Sequence, residues 1–213
     1  MRWVETLLAR VKTAGYQALC LTVDTAYYGR RERQMMDRWL PPSRRLSGYE
    51  HRSAITWETM AAIKQFGGLP FILKGVATAE DAALAVEHGV NAIYVSNHGG
   101  RQLDHNRGTL EMLPEIVEAV AGRATVVVDG GIVRGNDVLK ALALGAQAVA
   151  IGKLQGWGLG AGGQQGLVRV LEILESEIIT SMALLGVTRI DQLGHVTEEE
   201  RQEQRADVRA VDV

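Results

Sequence analysis

Residues 125–152 read TVVVDGGIVRGNDVLKALALGAQAVAIG, and the fold turns on how this stretch is parsed. Four residues, Thr125 to Val128, form a β-branched run that stops at Asp129 and two glycines. Apolar positions then recur at helical spacing over residues 135–144, and Gly145 closes that segment. A second apolar run, AVAI at 148–151, follows and stops at Gly152. Strand, loop, helix, glycine and strand in about 28 residues is one βαβ unit.

The same unit recurs towards the N-terminus. Apolar runs ALCLTV (18–23), PFILK (70–74) and AIYVS (92–96) each end in or before a polar residue or glycine. Runs without polar alternation suit parallel strands covered on both faces. Amphipathic segments lie between them at 3–13, 57–65, 78–88 and 109–121, with Thr56 and Thr78 placed as N-caps and Gly15, Gly67-Gly68, Gly89 and Gly122 as stops. A last helix is expected over 164–185, with Leu167, Val170, Leu171, Leu174 and Ile178 inward. The fold class is therefore α/β with a parallel sheet, five strands in all. Residues 25–52 form a long polar loop containing Pro41-Pro42, and residues 197–213 are charged throughout.

Composition limits what such a fold can do. The chain has 213 residues, 23 Lys+Arg against 25 Asp+Glu, and a formal net charge of −2. That balance argues against a nucleic-acid binder, which shows a basic stripe. One cysteine, Cys20, excludes an internal disulfide framework and a Cys-rich zinc site, and suits a cytoplasmic protein. No apolar run reaches the ~20 residues of a membrane span, and no metal-ligand spacing appears. The 213 residues are fewer than the ~250 of a complete eightfold barrel and long for one doubly wound domain.

In parallel α/β folds the chemistry lies beyond the carboxyl ends of the strands. Those ends carry Thr22 and Asp24, Lys74, Ser96 and His98, Asp129, and Gly152 with Lys153. In SNHGGRQLD (96–104), His98 precedes two glycines that permit close ligand approach, and Arg101 follows. This suits a general base beside a carboxylate-binding arginine, or else a turn histidine with a surface arginine. Asp24 can orient an imidazole, and one of Arg30 and Arg31 can grip a carboxylate, although adjacent arginines are commonly a solvated pair. Gly130, Gly131 and Gly152 with Arg134 and Lys153 read as a phosphate cradle or as two tight turns. GLGAGG at 158–163 satisfies a dinucleotide fingerprint literally, but it lies past its strand and lacks the following βαβ unit. His51, His88, His105 and His195 read as surface residues, and Met35-Met36 as packing.

The strings LTVDTAYYGRRER (21–33), PFILKG (70–75), SNHGGRQLD (96–104), LPEIVEAV (113–120) and VDGGIVRGNDVLKALALGAQAVAIG (128–152) resemble the FMN-dependent α-hydroxy-acid oxidase and dehydrogenase family. That family includes glycolate oxidase, lactate oxidase, mandelate dehydrogenase and the flavin domain of flavocytochrome b2. The resemblance runs from about Trp3 to about Leu193. It implies a (β/α)8-barrel fold of which this chain carries strands four to eight. FMN is the implied cofactor, and a small L-2-hydroxy acid the implied substrate. His98 then falls on the catalytic base, Asp24 on its carboxylate partner, and Arg31 and Arg101 on the substrate-carboxylate arginines. Lys74 falls beside the flavin N1 and C2 carbonyl, and Thr22 and Ser96 on flavin contacts. Asp129, Gly130, Gly131, Arg134, Gly152 and Lys153 fall on the ribityl and phosphate site.

The sequence departs from the family pattern in three places. Lys153-Leu154 stands where the family usually has Arg-Pro, the loop 25–52 is shorter than in many members, and about three preceding βα units have no counterpart. On this pattern residues 1–195 are a partial FMN-binding barrel and 196–213 a charged tail. Five barrel strands cannot close, so both outer strands should present unpaired edges. A homo-oligomer is implied by the family's habit. Two other readings remain: a non-catalytic remnant that associates through its open edges, and another phosphate-binding FMN barrel.

Overall fold

The computed structural model describes residues 2–27, 29, 31–39, 55–103 and 107–194. Its five parallel strands are β1 (Leu19–Thr22), β2 (Phe71–Val76), β3 (Ala92–Val95), β4 (Thr125–Val128) and β5 (Ala148–Val149). They form one sheet in the order β1-β2-β3-β4-β5. The helices are α1 (Arg2–Thr13), α2 (Glu32–Met36), α3 (Trp57–Gly67), α4 (Ala79–Glu87), α5 (Thr109–Val120), α6 (Gly135–Ala143) and α7 (Lys153–Leu184), before a 3-10 turn at Ile190–Gln192.

Strand order without a reversal decides the architecture. Parallel crossovers are right-handed, so steadily advancing strands leave all their helices on one face. A doubly wound sheet reverses its order and covers both faces. Burial follows the first pattern. Phe71, Leu73, Ile93, Val95, Val126 and Val128 are all at most 3% exposed and join Met60, Ile63, Ala82, Ala85, Met112, Leu113 and Ile116 from the helices in one core. In the alternate set Cys20, Thr125 and Ala148 are exposed and Ile72, Lys74, Tyr94 and Val127 only half-buried. One face is thus the helix-packed outside of a barrel wall, and the other is its open lumen. Each fully buried Phe, Ile or Val of the core contributes about 1.5–3 kcal/mol.

Local signals place the helices largely as expected. The Thr56 hydroxyl accepts from the Thr59 N–H at 3.3 Å, and Thr78 accepts from the Asp81 N–H at 3.2 Å. Such caps are worth about 1 kcal/mol each. Gly68 and Gly122 take left-handed φ values of 58° and 71° just past α3 and α5.

Two local expectations are corrected, and one helical segment is new. Past a break at Gly162 and Gly163, whose φ values are −158° and 58°, α7 runs over the span expected for the last helix, and its stretch from Lys153 to that break is the segment the sequence did not suggest. A Cβ on Gly158 would stand 3.0 Å from the Gly166 carbonyl oxygen, so these two glycines let the segments flanking the break touch. Leu174 is buried, but Leu171 is 50% exposed rather than inward. Met35 and Met36 on α2 are exposed rather than packed, whereas His88 is exposed as expected and stacks on Trp57 with ring centroids 5.0 Å apart. His51, His105, His195 and the tail at 196–213 lie outside the described residues.

Candidate active site

Backbone hydrogen bonds carry the strand ladder into the rim residues. Val23 N–H donates to Lys74 C=O (2.9 Å), Ser96 to Val76 (3.2 Å), Asp129 to Val95 (3.1 Å) and Ala150 to Val128 (2.9 Å). The first loop residues past four strands are therefore fixed as firmly as the sheet.

Asp24 and His98 meet across this rim. Nδ1 of His98 is 3.1 Å from both Oδ1 and Oδ2 of Asp24, whose side chain is 13% exposed. Two local features permit this contact. β2 is bulged between Lys74 and Val76, and Gly75 there has φ 99°, where a Cβ would lie 2.7 Å from the Asp24 side chain. His98 itself has φ 56°, a left-handed conformation rare outside glycine. Its backbone N–H donates to the Ser96 hydroxyl at 3.1 Å, which fixes the turn.

Lys74 is held by the neighbouring strands. Its Nζ donates to Ser96 Oγ at 2.7 Å and to Asp129 Oδ2 at 3.0 Å, and lies 4.4 Å from the centre of the Tyr94 ring. Burial, together with the adjacent Asp129 charge, pushes the Tyr94 hydroxyl well above its ordinary pKa. Tyr94 therefore stays a neutral ring beneath the ammonium.

A cavity of about 720 Å³ opens beside these groups, lined by Lys74, His98, Arg101, Asp129, Gly131 and Lys153 among others. Asp129 Oδ1 in its wall is buried and accepts no hydrogen bond, which leaves an acceptor for a hydroxyl donor. A Cβ on Gly131 or Gly152 would touch nothing within 4 Å, so the backbone at both turns is open to a ligand. Gly152 also precedes the first turn of α7, whose unpaired N–H groups attract anions. An acceptor for ribityl hydroxyls, open glycine turns, a helix N-terminus and two lysines fit FMN.

The expected site residues converge unequally. Asp24, His98, Lys74, Ser96 and Asp129 form one connected network, and Arg101, Gly130, Gly131, Gly152 and Lys153 share the cavity. Lys153 Nζ donates to Gly99 C=O at 2.8 Å. Thr22 sits on the lumen face, paired in register with Lys74. Arg31 donates to Gln102 Oε1 at 3.3 Å. Arg134 stands apart from the cavity, ion-paired with Glu177 at 2.6 Å, while Gly135 N–H donates to the second oxygen of that carboxylate at 2.7 Å. Gln102 and Glu177 carried no signal in the sequence beyond their proximity to charged neighbours.

Known proteins resemble this chain in sequence and in fold. An L-lactate oxidase of Nostoc sp. is 43% identical over 213 residues, covering 89% of this chain and 58% of its own length. Human 2-hydroxyacid oxidase 1 is 40% identical, covering 87% of this chain and 57% of its own. A solved mandelate oxidase superposes with a TM-score of 0.80 at 41% identity, over 89% of this chain and 58% of its own. A variant of mandelate oxidase holding a C4a-OH-FMN adduct gives 0.79 at 43%. The chain thus spans a little over half the length of these relatives. Residues 1–49 and 42–199 match the profile of the FMN-dependent dehydrogenases. Sheet order, rim chemistry and sequence agree: the chain belongs to the FMN-dependent dehydrogenase family.

Proposed function

We propose that this chain supplies the base, the carboxylate clamp and the cofactor cradle of an enzyme that oxidises a small L-2-hydroxy acid to the 2-oxo acid. The observation that carries this reading is the approach of His98 Nδ1 to both oxygens of Asp24. An unprotonated Nδ1 would face two negative oxygens, so that nitrogen carries the proton. In the neutral ring the lone pair then resides on Nε2. His98 Nε2 accepts a proton from the substrate, from its α-carbon or its hydroxyl, and Asp24 stabilises the imidazolium that results.

Arg31 and Arg101 hold the substrate carboxylate, as planar forks suited to bidentate contact. Bound FMN supplies the two-electron acceptor. Lys74, fixed by Ser96 and Asp129, would place its cation beside that acceptor, where a positive charge favours the reduced, anionic form. Thr22 and Ser96 would line the flavin side, Asp129 Oδ1 would accept from the ribityl chain, and Gly130, Gly131, Gly152 and Lys153 would hold the phosphate. Arg134, paired with Glu177, leaves Lys153 as the main phosphate cation in this reading. Residues 1–195 act as the partial barrel and 196–213 as its tail. Among the described residues no helix is long and apolar enough to cross a membrane, and the single cysteine supports a cytoplasmic setting. Replacing His98 by alanine in the FMN-loaded enzyme tests the reading, since retained turnover of L-lactate would remove its central residue.

A second reading rests on the open wall. Val168, Leu171, Ile173 and Ile179 on α7 are 43–61% exposed, and β1 and β5 are edge strands. Association through these surfaces, with another copy of the chain, would give a colourless oligomer whose size rises with concentration. A visible spectrum taken with sedimentation velocity separates the two readings.

A further inference from the structure

Gln102 ties together the two loops that carry the site. Its Nε2 donates to the Asp24 carbonyl at 2.8 Å and to the Tyr27 carbonyl at 2.7 Å. Its Oε1 accepts from the Gly29 N–H at 3.4 Å and from Arg31 at 3.3 Å. One amide therefore uses both donor hydrogens and both acceptor lone pairs on residues 71 to 78 positions away. The backbones are also in contact, because a Cβ on Gly29 would stand 2.6 Å from the Arg101 carbonyl oxygen and 2.7 Å from that of Gln102.

These contacts join unlike partners. The loop after β1 brings Asp24 and Arg31, whereas the loop after β3 brings His98 and Arg101. Neither loop can fix the distance between Asp24 and His98 alone. The Ser96 hydroxyl orients the His98 turn from below, but it does not reach the β1 loop. We infer that Gln102 is a positioning residue that sets the Asp24–His98 pair and aims Arg31, acting on the reaction without touching the substrate. This rests on the roles proposed above for Asp24, His98 and Arg31. Only a side chain with both donor and acceptor ends fits. Glutamate would set an oxygen against two carbonyls, and methionine would supply neither end.

The test reads the ring first and the turnover second. The chain has five histidines, and in 15N-histidine-labelled protein His98 is assigned by the signal lost in His98→Ala. In the unaltered chain its Nδ1 should carry the proton, whereas a free neutral imidazole in water favours the proton on Nε2. Gln102→Met should move His98 towards the free-ring pattern while the melting temperature stays within a few degrees. In the FMN-loaded enzyme the same change should lower kcat/KM about 10²-fold, the scale of a 1 Å misplacement. A Gln102→Met chain that keeps the unaltered His98 pattern would overturn the inference. Should that chain not fold, Gly29→Ala, which forces the same two loops apart, is read by the same two outcomes. If the unaltered chain already shows the proton on Nε2 and none on Nδ1, the pairing with Asp24 fails, and with it the proposed function, whatever Gln102 does.

Discussion

Nδ1 of His98 is equidistant, at 3.1 Å, from the two carboxylate oxygens of Asp24. Replacing Asp24 by asparagine keeps the shape but puts an N–H₂ against Nδ1 or leaves a single neutral acceptor. The ring then favours the wrong tautomer, and the imidazolium loses its counter-charge. Steady-state oxidation of L-lactate by the Asp24→Asn enzyme should fall on the order of 10³–10⁴-fold, as for the analogous change in a serine protease triad. An unchanged kcat would separate Asp24 from catalysis.

Gly75 makes room for that carboxylate. With φ at 99° and a would-be Cβ only 2.7 Å from Asp24, an alanine there is strained in its backbone and crowded at its side chain. Gly75→Ala should lose about 1–3 kcal/mol of stability in urea denaturation, together with activity. Gly152→Ala meets nothing within 4 Å, so the unliganded protein should tolerate it while FMN binding weakens.

Lys74 and Asp129 form a largely enclosed ion pair, with side chains 19% and 17% exposed. Removing only the cation leaves a partly buried carboxylate short of a partner. Lys74→Met should therefore destabilise the protein by about 1–3 kcal/mol. In a double-mutant cycle, adding Asp129→Asn should recover part of the loss, with a coupling of about 0.5–3 kcal/mol. Strict additivity would show that the pair does not interact.

The lumen-facing Tyr94 gives a pH signature. Its hydroxyl pKa is raised above the ordinary 10.0 by burial and by Asp129. The folded protein thus binds this proton more tightly than the unfolded chain. The resulting stabilisation is full below pH 10.0 and is lost as the pH rises from there towards the folded-state value. Urea midpoints should fall above that pH, and Tyr94→Phe should flatten the fall. An identical alkaline slope in both proteins would contradict the assignment.

The sequence made the wall of the fold legible because its strands are short, apolar and closed by glycine. Thr125–Val128 is a strand over the span its residues suggest, and Thr56 and Thr78 cap as their positions imply. The first turns of α7 were hidden because glycines at 156, 158 and 160 depress helix propensity. Packing between Gly158 and Gly166 overrides that preference. Arg134 looked like a phosphate ligand from its place after two glycines, yet Glu177, distant in sequence, claims it. Gln102 shows the same limit, since its partners are chosen by the meeting of two loops and not by local pattern.

The most direct test mixes the FMN-loaded protein with L-lactate in the absence of oxygen and follows the oxidised-flavin absorbance. Rapid bleaching is expected in the unaltered protein. His98→Ala should bind FMN with the same spectrum and fail to bleach on the same timescale, with a loss of at least about 10²-fold. Bleaching of His98→Ala at the unaltered rate, or no bleaching by any small L-2-hydroxy acid in the FMN-loaded unaltered protein, would contradict the assignment of His98 as the base.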